Sequence, residues 1–289
     1  MGAILRLLRL KQWIKNSFLF IPVFFAGKIL EIDLLISLLL GALAFSLVAS
    51  SVYVINDYKD RELDKLHPKK KKRPIASGEV STSTAWILII VLSGAGLVSA
   101  FLINQSFFYL LAIYLLLNIG YSLGLKNVPI LDLFIVASGF LIRVYCGGVI
   151  ANLEITHWLS IMILLLALFI VLAKRRDDLL IHTETGEVVR KASRSYNLEY
   201  INSCITLLSA VVIVAYIMYT VSPEVTQRFH SSNLFLTTVF VIAGIMRYLQ
   251  ITFVEQNSGS PTSILFKDKF ILITVLGWII SFYIIIYAL

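Results

Sequence analysis

The sequence predicts an all-α polytopic membrane protein, with nine transmembrane helices and a cytoplasmic N-terminus. Of its 289 residues, 58% are hydrophobic and only 15% charged, where a soluble domain has about 45–50% and about 25%. The mean hydropathy is +0.88. Apolar runs long enough to cross a hydrocarbon layer about 30 Å thick recur along the whole chain. The cations alternate with them: with the N-terminus inside, 21 of the 25 Lys and Arg fall on inside segments, as the positive-inside rule requires. This composition excludes a disordered chain, a collagen-like chain and a water-soluble enzyme.

In chain order the spans are 17–31, 34–55, 84–103, 107–123, 129–150, 157–173, 201–221, 233–252 and 270–288. The first is interrupted by Pro22, Gly27 and Lys28, and a re-entrant pair made by the first two spans is the alternative. Arg6, Arg9, Lys11 and Lys15 precede it in the manner of a signal peptide, but with no A-x-A-like cleavage site it reads as a retained helix. The outside connections 32–33, 104–106, 151–156 and 222–232 are short. Two inside loops, 56–83 and 174–200, are long and dense in charge, which marks them as the functional ones. They follow spans two and six, as a weak duplication of a four-helix unit would place them. The chain 1–289 reads as a single transmembrane domain.

The formal net charge is +8. Because the cations flank apolar spans, anionic lipid headgroups and membrane orientation account for it, and nucleic acid is not an expected partner. Cys146 and Cys204 lie in apolar stretches, and His67, His157, His182 and His230 show no zinc-ligand spacing.

The strongest local signal is Asn56-Asp57-Tyr58-Lys59-Asp60-Arg61-Glu62-Leu63-Asp64, directly after the second span. On a helix running out of the membrane, Asn56, Asp57, Asp60 and Asp64 share one face. Stacked carboxylates repel one another unless a cation sits among them, and hard oxygen ligands with no His or Cys suit Mg²⁺. A solvated helix end balanced by Lys59 and Arg61 is the plain alternative. The next segment, His67-Pro68-Lys69-Lys70-Lys71-Lys72-Arg73-Pro74-Ile75-Ala76-Ser77-Gly78, favours the metal. Prolines on both sides imply a shaped loop, and acids beside a basic loop form the pair that a Mg²⁺-polyphosphate needs. At the same face Tyr121, Ser122 and Lys126 end span four, and Asp132 opens span five. Arg143, inside span five, is a functional candidate by virtue of its depth, with an internal ion pair as the alternative. Arg247 reads as a snorkelling cation. Lys174-Arg175-Arg176-Asp177-Asp178 reads equally as a stop-transfer cluster or a phosphate clamp, with Arg190, Lys191 and Arg194 in the same loop.

These motifs resemble the UbiA-type intramembrane prenyltransferase superfamily. The resemblance rests on N-D-x-x-D-x-x-x-D after the second span, then R-P-I-A-S-G. It extends to Lys11-Gln12-Trp13-Ile14-Lys15-Asn16, Tyr121-Ser122…Lys126…Pro129…Asp132 and Ala173-Lys174-Arg175-Arg176. It is closest to the branch that places a phosphoribosyl group on a polyprenyl phosphate. The resemblance implies nine helices around a central cavity, Mg²⁺ as cofactor, and an active site on the cytoplasmic face of a bacterial-type inner membrane. It implies transfer from phosphoribosyl pyrophosphate to a polyprenyl (decaprenyl) phosphate, in the service of cell-wall synthesis. Asn56, Asp57, Asp60 and Asp64 become the metal ligands, with the three aspartates catalytic. Lys15, Lys59, Lys70, Arg73, Tyr121, Lys126, Arg143, Lys174 and Arg175 become substrate contacts. Most of the superfamily has a second D-x-x-x-D after span six. Here cations dominate that place, which suits one polyphosphate held through metal and a second anionic substrate held by cations. Prenyl transfer from a diphosphate to an aromatic or other acceptor is the alternative within the fold, and a transporter the alternative outside it. A homo-oligomer is compatible with either.

Overall fold

The computed structural model describes residues 2–67, 70–185, 195–256, 264 and 267–287, without the side chains of 181–185 and 287. Among the described residues all regular structure is helical. The helices are α1 Gly2–Leu8, α2 Ile21–Phe25, α3 Ile32–Leu66, α4 Thr82–Ile103, α5 Gln105–Leu123 and α6 Leu131–Ile150, then α7 His157–Thr185, α8 Leu198–Val221, α9 Pro223–Phe229, α10 Thr238–Phe253 and α11 Lys269–Tyr287. Among the described residues eight segments are long and apolar enough to cross a membrane. They correspond to spans two to nine of the sequence reading.

The predicted first span is built differently. Its place is taken by a 3₁₀ helix, Leu10–Phe20, followed by the five-residue α2. Pro22 sits in the first turn of α2, where its missing N–H costs nothing. Gly27 then turns the chain at φ +71°, a conformation that glycine adopts without steric cost.

The helices gather into two compact units, residues 1–135 with 139–154 and residues 136–138 with 155–289. Each contains four of the eight long segments, as a duplicated four-helix unit would. In each unit the leading long helix overshoots a membrane span. At about 1.5 Å per residue, the 35 residues of α3 and the 29 of α7 exceed the roughly 20 that a bilayer core requires. The surplus turns carry the charged motifs out of the apolar layer.

In the first unit α3 is the spine. Its Phe45, Val48 and Ala49 pack with Phe107, Leu111 and Tyr114 of α5 and with Leu19 of the 3₁₀ segment. Small residues allow the closest approaches, as membrane helices generally require. A Cβ on Gly96 of α4 would lie 2.8 Å from the Ala44 carbonyl oxygen, and one on Gly147 of α6 would lie 1.9 Å from the Leu19 carbonyl oxygen. Because that obstacle is backbone, Gly147→Ala is expected to lower stability by about 1–2 kcal/mol, read as a fall in the melting temperature of the detergent-solubilised protein. An unchanged melting temperature would show that the 3₁₀ segment is not clamped against α6. Outward-facing Leu39, Leu40, Leu43, Ile87, Ile90 and Val91 are exposed, as lipid-facing residues must be.

In the second unit, one cluster of buried polar groups finds partners across helices. The Trp278 Nε1–H donates to the Tyr216 hydroxyl over 2.6 Å, and that hydroxyl lies 2.6 Å from Thr237 Oγ1. Arg247, expected to reach for headgroups, pairs instead with Asp268 at 2.8 Å and Glu255 at 2.7 Å. Its guanidinium does reach the helix end, but two carboxylates of its own chain meet it there.

Candidate active site

The acidic face of α3 forms as its spacing predicts. Asp57 and Asp64 are buried, Asn56 and Asp60 half-buried, and Lys59, Glu62 and Lys65 exposed. Lys59 lies two residues from Asp57, about 200° around the helix, so the structure does not bring this predicted substrate contact to the acids.

Cations from three separate segments meet the carboxylates. Arg73 bridges two of them, with Nη1 at 2.7 Å from Asp64 Oδ2 and 3.1 Å from Asp57 Oδ1. Arg9 adds a contact of 2.6 Å to Asp57 Oδ1. Lys126 Nζ donates to Asp60 Oδ1 at 2.5 Å. A carboxylate only 2% exposed, such as Asp57, keeps its charge at tolerable cost only when paired and hydrogen-bonded. Two guanidiniums provide that here.

Local folding explains why these cations stand where they do. Pro74, Ile75 and Ala76 are buried, and Ile75 packs with Val80, Leu7, Val54, Ala85 and Ile89. The apolar half of the R-P-I-A motif is therefore an anchor, and Arg73 is held at its edge. The loop turns at Gly78, φ +81°, and closes with Val80 N–H donating to the Pro74 carbonyl over 2.9 Å. Lys70 lies half-buried in a 3₁₀ turn of the same loop, beside exposed Lys71 and Lys72. Pro68 and Lys69 lie outside the described residues. Lys126 comes from a single 3₁₀ turn, Leu125–Asn127. Behind it, Leu131 N–H donates to the Pro129 carbonyl over 2.7 Å, and Ile130 is held at φ +68°. This γ-turn is strained for a β-branched residue and leads into buried Asp132. Tyr121, half-buried, lies in the last turn of α5.

Arg9 is the residue that sequence reasoning missed; it was counted only among the cations before the first span. It sits at the break between α1 and the 3₁₀ helix, in the left-handed conformation (φ 52°, ψ 50°), with its guanidinium 5.0 Å from the centre of the Tyr53 ring. A ladder along α3 sets its position. Asn16 Nδ2 donates to Ser46 Oγ at 2.7 Å, Trp13 Nε1 to Ser50 Oγ at 3.0 Å, and Ser50 Oγ to the Leu8 carbonyl at 3.0 Å. Acceptors four residues apart are one turn apart, so the rungs carry the segment up α3 until Arg9 reaches Asp57. Serines at that spacing, facing polar residues in an otherwise apolar helix, were the available signal. Lys15 is half-buried on this segment, beside buried Asn16.

Arg143 is not brought to the acids. It is 5% exposed, and its guanidinium donates to Asn16 Oδ1 at 2.8 Å, the Gly139 carbonyl at 2.6 Å and the Tyr114 hydroxyl at 3.1 Å. The Phe45 ring lies 4.5 Å away. Among the described residues no carboxylate pairs with it, so neither a place beside the acids nor the expected ion pair describes it. It ties α6 to the ladder that carries Arg9.

In the second unit, Lys174 is exposed while Arg175 and Arg176 are buried. Arg175 Nη1 lies 3.3 Å from Asp178 Oδ2, and Arg176 Nε donates to Asn202 Oδ1 at 2.9 Å. Arg190, Lys191 and Arg194 lie outside the described residues.

Among the described residues no three of His, Cys, Asp and Glu converge as a ready metal-binding group. What Asp57 and Asp64 converge on is the Arg73 guanidinium, so positive charge already occupies the place between them. The donor chemistry, three carboxylates and one amide oxygen with no imidazole or thiolate, fits a hard cation.

Residues 17–198 match the model of the UbiA prenyltransferase family. The chain belongs to that family. It is therefore a membrane transferase, which removes the transporter alternative. Relatives similar over nearly their whole length include the decaprenyl-phosphate phosphoribosyltransferase of Mycolicibacterium smegmatis, 32% identical over 96% of this chain and 90% of the relative. The enzyme of the same name from Corynebacterium glutamicum is 28% identical over 99% and 87%. Among solved structures, a UbiA homolog from Archaeoglobus fulgidus bound to DMAPP and Mg²⁺ superposes with a TM-score of 0.72 at 22% identity, over 99% of this chain and 100% of that one. At that identity the likeness establishes the fold alone.

Proposed function

We propose that this UbiA-family chain transfers the 5-phosphoribosyl group of phosphoribosyl pyrophosphate to a polyprenyl (decaprenyl) phosphate and releases pyrophosphate. The observation that carries the reading is the charge balance of the site. One acidic face is ringed by Arg9, Arg73 and Lys126, and the apolar run of α7 gives way to Lys174, Arg175 and Arg176 where the superfamily has a second acidic motif. That suits two phosphate-bearing substrates. The names of the full-length relatives support the same substrates.

Asn56, Asp57, Asp60 and Asp64 would hold Mg²⁺, which when bound neutralises charge on a departing pyrophosphate. Arg9, Arg73 and Lys126 bind phosphate oxygens of the donor, with Lys15, Lys70 and Tyr121 as further contacts. Lys174 and Arg175 position the donor's 5-phosphate or the lipid phosphate. The bond from the ribose C1 to the pyrophosphate oxygen breaks as a bond from C1 to an oxygen of the lipid phosphate forms. That oxygen is already anionic near neutral pH, so no side chain needs to act as a general base. Arg143 serves by holding Asn16, and through it the ladder that positions Arg9.

The whole chain works as one domain in a bacterial-type inner membrane, with the acids on the cytoplasmic side. The N-terminal segment makes the ninth crossing. At about 2.0 Å per residue in the 3₁₀ helix and about 1.5 Å in α2, Leu10–Phe25 spans about 30 Å, the thickness of a hydrocarbon core.

Membranes containing the protein, given radiolabelled phosphoribosyl pyrophosphate and decaprenyl phosphate, are expected to transfer label to lipid only when Mg²⁺ is present. Label entering an aromatic acceptor from a prenyl diphosphate, with none entering lipid from the ribosyl donor, would establish prenyl transfer instead.

A further inference from the structure

A cleft of about 830 Å³ opens in the second unit at the ends of α7, α8 and α10, lined by Arg176, Asn202, Thr206, Leu207, Phe253 and Gln256 among others. We propose that it binds the phosphate head and proximal chain of a lipid monophosphate. Arg176 would hold the head, and Leu207 and Phe253 the chain.

Three features argue for this ligand class. The first is depth. The apolar run of α7 ends at Ala173, so Arg176 lies about 4–5 Å further along the axis. That is the layer in which lipid phosphates lie, since the headgroup regions add about 5–7 Å to each side of the hydrocarbon core. The second is the cation itself. The Arg176 side chain is 5% exposed at residue level, with Nε donating to Asn202 Oδ1 at 2.9 Å and its guanidinium carbon 5.5 Å from the Phe253 ring centre. An arginine held in plane by an amide and a ring is pre-organised for the forked N–H geometry that a phosphate accepts. The third is the division of the walls. Asn202, which touches the cation, and Thr206 and Gln256 give the lining hydroxyl and amide groups, while Leu207, 64% exposed, extends it along α8 as an apolar surface. A soluble polyanion would have no use for that surface, and a neutral lipid none for the guanidinium.

The proposal deepens the functional reading by giving the second anionic substrate a docking place, and its test stands apart from turnover. The full-length protein in detergent is titrated with radiolabelled farnesyl monophosphate. Arg176→Gln, and independently the cleft-filling Thr206→Trp, are expected to weaken binding about 10-fold or more, the loss of roughly one charge-assisted contact. Binding of radiolabelled phosphoribosyl pyrophosphate should stay at the wild-type level in both. Unlabelled dioleoyl phosphatidate distinguishes the two lipid sources: equal competition identifies a general lipid-monophosphate site, weaker competition an isoprenoid-selective one, and either supports the proposal. Unchanged farnesyl phosphate affinity in both variants overturns it, as does displacement by inorganic phosphate at the same concentration. If wild-type membranes fail to make the phosphoribosyl lipid while Arg176→Gln still loses farnesyl phosphate, the cleft stands and the functional reading falls. The converse pattern removes the cleft alone.

Discussion

Asp60→Ala is expected to reduce transfer about 100- to 1,000-fold, the scale on which loss of one group that stabilises developing charge is felt, while the protein stays inserted and folded. The partition follows from burial. Asp57 and Asp64 are themselves buried, with side-chain exposures of 2% and 5%, so replacing either disturbs the packed end of α3 and confuses folding with function. Asp60 and its partner Lys126 keep side-chain exposures of 23% and 16%. A half-buried ion pair at the rim of the site contributes about 1 kcal/mol to stability, too little to unfold the protein when it is lost. Turnover of labelled donor into lipid and the melting temperature of the same preparation check the two halves. Wild-type turnover in the variant would remove Asp60 from the machinery and with it the proposed metal site.

Legibility in the sequence followed the physics of each feature. Spans two to nine were readable because about 20 apolar residues in a row have few alternatives, and the alternation of basic connections set their order. The N-terminal segment was misread as a helix of the same kind. Its apolar length is right, but Trp13 and Asn16 bond sideways to Ser50 and Ser46, and a 3₁₀ path follows. Composition does not reveal which polar groups in an apolar stretch have found each other. The overshoot of α3 was visible as charge following directly on apolar residues with no glycine or proline between, whereas that of α7, which continues to Thr185, falls where the sequence reads as a loop from 174.

The acidic face was legible for the same reason that helices are: it depends only on spacing within one element. Its counter-ions were legible in part. Arg73 and Lys126 stood in motifs, but Arg9 acts across 48 positions of sequence, and nothing local marks it apart from Arg6, which pairs with Glu79. Arg143 was picked out by its depth, but its partners were not legible. An arginine can be accommodated in a span by an amide, a phenol, a backbone carbonyl and aromatic faces, and these partners come from four segments, the 3₁₀ helix, α5, α6 and α3.

The affinity of the solubilised protein for Mn²⁺, a paramagnetic stand-in for Mg²⁺ read by electron paramagnetic resonance, is expected to rise about 100-fold when phosphoribosyl pyrophosphate is present. Without donor, each carboxylate already holds a cation of the chain: Arg9 and Arg73 on Asp57, Arg73 on Asp64, Lys126 on Asp60. A divalent ion arriving alone must either share those acids with three positive side chains or drive the cations off with nowhere to go. Donor phosphates change the balance by offering Arg9, Arg73 and Lys126 other anions while adding oxygens of their own. Linkage makes the effect reciprocal, so Mn²⁺ tightens donor binding by the same factor. Arg9→Gln separates this from a general attraction of charges. It removes one competitor from Asp57, so Mn²⁺ alone binds more tightly than in the wild type and the donor adds less. A general attraction of charges would raise Mn²⁺ affinity with and without donor alike and leave the donor's factor unchanged. If Mn²⁺ binds equally well with and without donor, in wild type and Arg9→Gln alike, the acids are held by their own cations for structure, and the exchange of protein cations for metal is not how the site works.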